Sequence, residues 1–290
     1  MESYGSFNSH REVISNIKRF IDRQLLFGKS KYTINDDFSV DVDDNVYFYK
    51  QDWIGRIPIK LGKVNGSVNI MECNNLTNLK GLPNYISGSL NISNNINLES
   101  LEGCPEKIDG DFICTNSKIE TLEHGPKYVG RDFIIVRTNL TSLIGSPEKI
   151  GKNFNCDYNK LTNLIGLTKE VGNFSGKGNE LTSLEGIPEK VNSIVIDSES
   201  LYNVDYFPTH FKYNGRFSCV DSPISLIFDE GIPLVGEYTM NSIHILRSSN
   251  MVVKGTNKIR LKHLKYFYHI LDQELTEKRI EKIKTKYEII

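Results

Sequence analysis

The chain has 290 residues, and its 35 basic and 36 acidic residues leave a formal net charge of −1. This balance gives no general argument for nucleic acid or an anionic membrane as the partner. The chain does not begin with basic residues followed by an apolar stretch, so no secretory signal is predicted. No apolar run is long enough to predict a membrane span.

The first predicted element is an amphipathic helix over residues 9–27. Ser9 and Glu12 have the spacing of a capping box, and Gly28 is a typical helix stop. An apolar stripe follows one face of this helix: Val13, Ile17, Phe20, Ile21 and Leu25. We expect the helix to cover the open end of a repeat array, and a free helix that binds a partner is the alternative.

A repeated phrase then dominates the chain. An apolar anchor recurs at intervals of 22, 21, 21, 21, 20 and 20 residues, at Leu76, Leu98, Ile119, Leu140, Leu161, Leu181 and Leu201. A second apolar residue follows each anchor by three positions, and a proline usually follows by seven, as Pro105 and Pro147 do. A weaker upstream copy places the start near residue 45, and the array closes near Cys219.

An apolar–polar–apolar triplet, such as Phe154–Cys156, recurs in the repeats. This alternation predicts a short strand whose first and third side chains point into the coil. Asn94, Asn116 and Asn159 follow such triplets, where an asparagine can bind backbone groups of a turn. Because one unit cannot bury its own apolar side, we expect stacked units to share one continuous core.

These phrases, among them “LTNLKGLPNYISGSLNIS” and “LESLEGCPEKIDGDFICT”, resemble the short leucine-rich repeat of about 20–22 residues. Such repeats occur in bacterial effectors and in many phage and giant-virus proteins, and the resemblance covers residues 45–220. It implies an α/β repeat fold, a leucine-rich-repeat solenoid with a parallel sheet on its concave face. The family serves many partners, so the resemblance implies binding without naming the partner.

We predict three segments: an N-terminal helical cap over residues 1–44, the array over 45–220, and a C-terminal cap over 221–290. Residues 259–287 are predicted to form one or two helices, with Thr276 capping the second. Residues 251–290 hold ten basic and five acidic residues. This basic C-terminal helix is either a solvated surface or a site that contacts phosphates.

No group of residues predicts an active site. The five cysteines are an odd number spread through the repeats, which fits neither a disulfide framework nor a zinc motif. Cys114 and Cys156 fall at inward strand positions, so we expect them in the core. The six histidines do not pair at metal-ligand spacing, and His124 is expected in a surface turn. We therefore predict that the chain is not an enzyme and carries no cofactor and no metal.

The predicted site is the concave face, where most outward strand residues are small or polar. Two clusters depart from that rule: Tyr47, Tyr49 and Met71 at the first end, and Ile113, Ile134 and Val136 beside Asp111 and Asp132 in the middle. An apolar patch with a charged rim is typical of a protein-binding site. The alternative is that β-branched residues simply favour strands. The face is not basic, which argues against nucleic acid in the concavity.

The chain contains no alanine and is rich in Ile, Asn, Lys and Tyr. AT-rich codons encode this set, so we infer an AT-rich genome, such as that of a phage, another virus or a bacterium. The leading hypothesis is a cytoplasmic protein-binding module that modulates or inhibits a host protein, such as a defence factor. A virion structural or assembly adaptor is one alternative, and nucleic-acid or nucleotide binding through the basic C-terminal helix is another. The oligomeric state is not predicted.

Overall fold

The computed structural model describes residues 10–24, 31–202, 205–206, 216–219, 222–224, 234–235, 251–270 and 273–290. The chain divides into two compact units. Unit 1 comprises Met1–Ile119 and Glu123–Arg131, and unit 2 comprises Glu120–Leu122 and Asp132–Ile290. Parallel strands repeat in both units, so each unit is a β-solenoid, and the chain has about seven turns of roughly 21 residues.

Unit 1 contains two sheets. Its described elements are α1 (His10–Gln24), β1 (Tyr32–Ile34), β2 (Val40–Val42), β3 (Val46–Tyr49), β4 (Leu61–Val64), β5 (Val68–Met71), β6 (Tyr85–Ile86), β7 (Leu90–Asn91), β8 (Lys107–Ile108), β9 (Phe112–Thr115) and β10 (Tyr128–Val129). The predicted triplets form one sheet, in the order β3-β5-β7-β9, which we call the site sheet. The second, back sheet has the order β1-β2-β4-β6-β8-β10 and is parallel except for the β1–β2 pair. The triplet pattern did not predict this back sheet.

Unit 2 continues the repeat with longer strands. Its described elements are β11 (Phe133–Val136), β12 (Lys149–Ile150), β13 (Phe154–Asn155), β14 (Glu170–Gly176), β15 (Lys190–Ile196), β16 (Arg216–Ser218), β17 (Leu234–Val235), β18 (Lys258–Ile259), α2 (Leu261–Ile270), α3 (Glu277–Lys284) and β19 (Glu288–Ile289). The site sheet of unit 2 has the order β11-β13-β14-β15-β16-β17. It is parallel up to β16, and β17 pairs antiparallel.

The coil shortens between β3 and β15. Successive triplets begin 22, 22, 22, 21, 21, 20 and 20 residues apart, at Val46, Val68, Leu90, Phe112, Phe133, Phe154, Phe174 and Ile194. In a 21-residue coil, residues 151–153 separate β12 from β13. In the next coil only Gly172 and Asn173 stand at this corner, and β14 runs through it without a break. The loss of one corner residue therefore fuses two short strands into one.

The core is a set of columns, one for each inward strand position. First and third triplet residues are buried, as at Phe112 and Cys114, so the predicted inward register is confirmed. In unit 2 the rings of Phe133, Phe154 and Phe174 follow one another with centroids 5.0 and 5.9 Å apart. Burying a side chain of this size stabilises a fold by about 1.5–3 kcal/mol, so these columns are the main source of stability.

In seven consecutive coils a left-handed residue follows the site-sheet strand. These residues have φ between 52° and 63° and are Lys50, Glu72, Asn94, Asn116, Arg137, Tyr158 and Gly178. The residue that follows is turned inward, and in three coils it is a buried asparagine: Asn95, Asn159 and Asn179. The asparagines predicted at the turns thus occupy two different positions. Asn94 and Asn116 adopt the left-handed backbone, whereas Asn159 lies in the core.

The buried asparagines join neighbouring coils. In unit 1 the Cys73 N–H donates to Asn95 Oδ1 at 2.8 Å, and Asn95 Nδ2 donates to the carbonyls of Ile70 and Ile92, both at 2.8 Å. Because a buried amide without partners destabilises a fold, these bonds fix the stacking of each coil on the previous one.

Helices lie near both chain ends. In α1, Ile21 is buried, and the ring of Phe20 lies 6.5 Å from that of Phe48 and 6.0 Å from that of Trp53. Ser9 and Leu25 of the predicted helix are outside the described residues. Near the C-terminus two helices form, and Thr276 Oγ1 caps α3 by accepting the Arg279 N–H at 3.3 Å, as predicted. None of the helices in the described residues is both long and apolar enough to cross a membrane.

Candidate functional site

The predicted site residues are divided between the two units. Tyr47, Tyr49, Met71, Asp111 and Ile113 belong to unit 1, whereas Asp132, Ile134 and Val136 belong to unit 2. All lie on a site-sheet strand or directly before it, and none of them is buried. The structure therefore gives each of them the outward position that was predicted, and their role in binding stays a prediction.

The first cluster is formed by neighbouring strands of unit 1. The register pairs Tyr49 with Met71, and Tyr49 is 51% exposed. The ammonium of Lys50 lies 5.0 Å from the centre of the Tyr49 ring and 3.6 Å from a carboxylate oxygen of Glu72. The cation beside this aromatic cluster is thus already paired within the chain.

In the second cluster, the two aspartates belong to a hydrogen-bonded ladder at the residue that precedes each strand. In unit 1 the Ser89 N–H donates to Ser67 Oγ at 3.0 Å, and the Asp111 N–H donates to Ser89 Oγ at 2.9 Å. In unit 2 Asp132 Oδ1 accepts the N–H and the Nδ2 of Asn153 at 3.1 and 2.9 Å. This position therefore holds side chains that link consecutive coils.

Asp111 also has a cationic neighbour, since Arg131 Nε lies 3.6 Å from its Oδ1. An arginine of the same unit therefore faces this carboxylate. The contribution of the aspartates to a charged rim is correspondingly reduced, and the apolar residues of the cluster become its main feature.

In unit 2 that apolar part is Ile134 and Val136, both half-buried on β11. The register pairs Ile134 with Asn155, so a polar side chain borders the isoleucine on the next strand. A half-buried apolar surface bordered by polar side chains is typical of protein interfaces.

Two residues that were not predicted as site residues lie beyond the ends of neighbouring strands: Arg137 follows β11, and Tyr158 follows β13. The guanidinium carbon of Arg137 is 5.1 Å from the ring centre of Tyr158, and Tyr158 is 52% exposed. Both have left-handed backbones, which bulky residues adopt rarely. The equivalent position in other coils holds Lys50, Glu72, Asn94, Asn116 and Gly178, so this left-handed turn accepts varied side chains. No pattern in the sequence distinguishes Arg137 and Tyr158, and the contact between them identifies the pair.

The reactive groups of the chain are shielded. All five cysteines are buried and unpaired by disulfides. Burial raises the pKa of the Cys114 and Cys219 thiols to about 12, so they remain protonated and poorly nucleophilic. Among the described residues no group of three or more His, Cys, Asp or Glu side chains could hold a metal ion.

His124 lies in a surface turn, as predicted. It is exposed and has φ +62°, in the position that Gly103 and Gly145 hold with φ +88° and +90° in their coils. The left-handed turn accounts for the position of this histidine, and a role in chemistry is not needed to explain it.

The basic C-terminal helix has partners within the chain. Lys284 Nζ is 2.8 Å from Glu281 Oε1. The guanidinium of Arg279 lies 5.2 Å from the ring centre of Tyr268 and donates to the Glu274 carbonyl at 2.6 Å. Contact between this helix and phosphates stays a prediction. Because Arg279 and Lys284 already have contacts within the chain, the helix offers fewer available cations than the sequence indicated.

Comparison with protein-family models, with curated proteins and with solved structures finds no significant match to this chain. The class of protein is therefore defined by the fold: a parallel β-solenoid built from a repeat of about 21 residues. No relative supplies a ligand or partner, so a functional assignment has to rest on the geometry of the site sheet.

Proposed function

We propose that this chain is a non-catalytic protein-binding module of the leucine-rich-repeat type. The observation that carries the proposal is the end of β11 in unit 2, where half-buried Ile134 and Val136 adjoin the exposed pair Arg137 and Tyr158. Arginine and tyrosine are enriched among the residues that dominate interface energies, and apolar neighbours exclude water around them.

The repeat supports the leucine-rich-repeat assignment. Seven coils combine a short parallel strand, a left-handed turn and the LxxL step of two apolar residues, and Leu140 and Leu143 of one such step are fully buried. Buried asparagines at the strand ends bind backbone groups of the adjacent coil, as Asn159 does. These are the features expected of units that share one core.

We propose further that helical segments cap the array at both ends. In unit 1 the packing of Phe20 beside Phe48 supports this role for α1. In unit 2 the Tyr287 hydroxyl donates to the Tyr202 carbonyl at 2.8 Å, and the two rings meet edge to face at 5.3 Å. A cap is needed because the terminal coil of a solenoid would otherwise expose its apolar side.

The absence of alanine supports an AT-rich source such as a phage. In that setting the partner is a host protein, for example a defence factor, which the module would meet and inhibit in the host cytoplasm. The shielded thiols of Cys114 and Cys156 support binding rather than nucleophilic catalysis.

The test is affinity capture from lysates of candidate bacterial hosts with three tagged proteins: the wild type, Ile134→Asp and Ile144→Asp. Ile144 is the matched control, because it is an isoleucine of the same unit and 61% exposed, but it lies outside the site sheet. We expect a protein captured by the wild type and by Ile144→Asp to be lost from Ile134→Asp at unchanged melting temperature. Equal capture by all three proteins would exclude this part of the site sheet.

A further inference from the structure

A row of three contacting residues lies beyond the ends of successive unit 2 strands: Arg137, Tyr158 and Gly178. The guanidinium of Arg137 lies over the ring of Tyr158, and that ring packs against Gly178 in the following coil. A Cβ at Gly178 would lie only 2.5 Å from Tyr158 Cδ1, so the absence of a side chain there makes room for the ring. The Tyr158 ring therefore contacts both Gly178 of the following coil and the guanidinium of Arg137.

The cation–π contact restricts the positions open to the guanidinium. Its N–H groups form a planar fork that matches the two oxygens of a carboxylate. Because Arg137 and Tyr158 are both exposed, a partner can reach this fork. Side-chain freedom is already reduced, so less entropy is lost when a partner binds.

Arg137 also differs from comparable cations in its charge environment. Lys50 is paired with Glu72, and Arg131 with Asp111. Within the part of the chain that the structure describes, no carboxylate lies within ion-pair distance of Arg137. The carboxylate of Asp157, in the next coil, accepts hydrogen bonds from Ser175 Oγ at 2.7 Å and from the Lys177 N–H at 2.8 Å.

The neighbours of Arg137 select among anionic partners. Asp132, Asp157 and Asp197 accept hydrogen bonds from other coils on the same sheet of unit 2, and they would repel a run of phosphates. A single carboxylate needs only the fork of Arg137. Half-buried Val136 precedes the arginine and offers an apolar contact beside it.

We propose that Arg137 binds a carboxylate of the protein partner, an Asp or Glu side chain adjacent to an apolar residue that contacts Val136. This inference rests on the proposed function and adds the chemistry of the partner.

The experiment selects ligands from a displayed library of random twelve-residue peptides with the full-length protein. We expect enrichment of peptides with Asp or Glu next to an apolar residue. The dissociation constant of the best peptide is then compared with that of its Asp→Asn counterpart. On the wild type the acidic peptide should bind at least tenfold more tightly, since hydrogen bonds between charged groups are worth roughly 1.5–3 kcal/mol.

Arg137→Asn is the informative variant, because asparagine suits the left-handed backbone and the fold should gain thermal stability. On this variant the two peptides should bind equally. Arg131→Gln is the control, since it removes one positive charge from unit 1, and it should retain the tenfold preference. Arg137→Glu should instead prefer a peptide with Lys in place of the acid.

Three results would overturn the inference: no enriched peptide, enriched peptides without acids, or an undiminished acid preference in Arg137→Asn. They leave the proposed function standing if Ile134→Asp still abolishes capture of a host protein. Conversely, equal capture by the wild type and Ile134→Asp contradicts the proposed function, whatever the peptides show.

Discussion

The hydroxyl of Thr138 donates a hydrogen bond to Oδ1 of Asn159, 2.6 Å away in the next coil of unit 2. The same oxygen accepts the Thr138 N–H at 3.1 Å, and Nδ2 of Asn159 donates to the carbonyls of Ile135 and Cys156 at 2.9 and 3.0 Å. The amide is buried, so protein groups replace water at each of its polar atoms. One asparagine thereby holds two coils in register.

Replacing the Asn159 side chain should destabilise the fold. We expect Asn159→Ala to lower the free energy of unfolding by about 2–4 kcal/mol, because several buried backbone groups would lose their partner. Chemical denaturation measures the change. Lys160→Ala, at the exposed neighbouring residue, is the control and should change stability by less than about 0.5 kcal/mol. A loss under 1 kcal/mol for Asn159→Ala would mean that water replaces the amide there.

A second prediction concerns the core register. Leu143 is fully buried, so Leu143→Ala should destabilise the fold by about 2–5 kcal/mol through lost burial and a residual cavity. Its neighbour Ile144 is 61% exposed, and Ile144→Ala should have little effect. Similar losses from both variants in urea unfolding would contradict the inward position of Leu143.

Replacing His124 with glycine should stabilise the fold. His124 has φ +62°, where other coils place glycine. We expect His124→Gly to raise stability by about 0.5–1 kcal/mol, since relief of the left-handed backbone exceeds the entropy cost of glycine. Glu123→Gly, one residue earlier, serves as the control and should destabilise. A lower melting temperature for His124→Gly would indicate that the imidazole makes a stabilising contact.

The cysteines should resist modification in the folded protein. At pH 8 we expect a thiol reagent such as Ellman's reagent to react slowly with the native chain and rapidly with five thiols after denaturation. Because burial raises the folded pKa of Cys114 and Cys219, unfolded thiols ionise first. Stability should therefore fall as the pH rises above about 8.5. Rapid native labelling would show that a coil opens readily.

The capping role of α1 has its own test. Ile21 is buried, so Ile21→Asp should place a charge against the first coil and lower the stability of unit 1 by about 2–4 kcal/mol. Asn16→Asp adds the same charge at an exposed position of the helix. If both variants melt like the wild type, α1 is a free helix and not a cap.

The repeating core could be predicted from the sequence because burial imposes a strict pattern. Phe112 and Cys114 alternate with an outward residue, and the same alternation returns every 20–22 positions, so inward and outward positions follow directly. The cap of α3 at Thr276 was predictable for a similar reason, since its donor lies three residues away.

The features that could not be predicted depend on contacts between coils. Back-sheet strands such as Lys107–Ile108 have only two residues, too few for a period to show. The stack of Arg137 on Tyr158 joins residues 21 positions apart, and it requires knowing that both have left-handed backbones. The ladder that engages Asp132 likewise depends on the distance between adjacent coils, which a sequence pattern does not contain.

The shortening of the coils has an evolutionary consequence. Two residues separate Asn95 from the anchor Leu98, but one separates Ser117 from Ile119, and the next three coils, up to Leu181, keep the shorter form. The corner residue lost before Phe174 is missing again before Ile194. The second deletion thus occurs only in coils that already carry the first. Such nesting is the pattern that tandem duplication leaves when new copies inherit the coil length of the copy beside them.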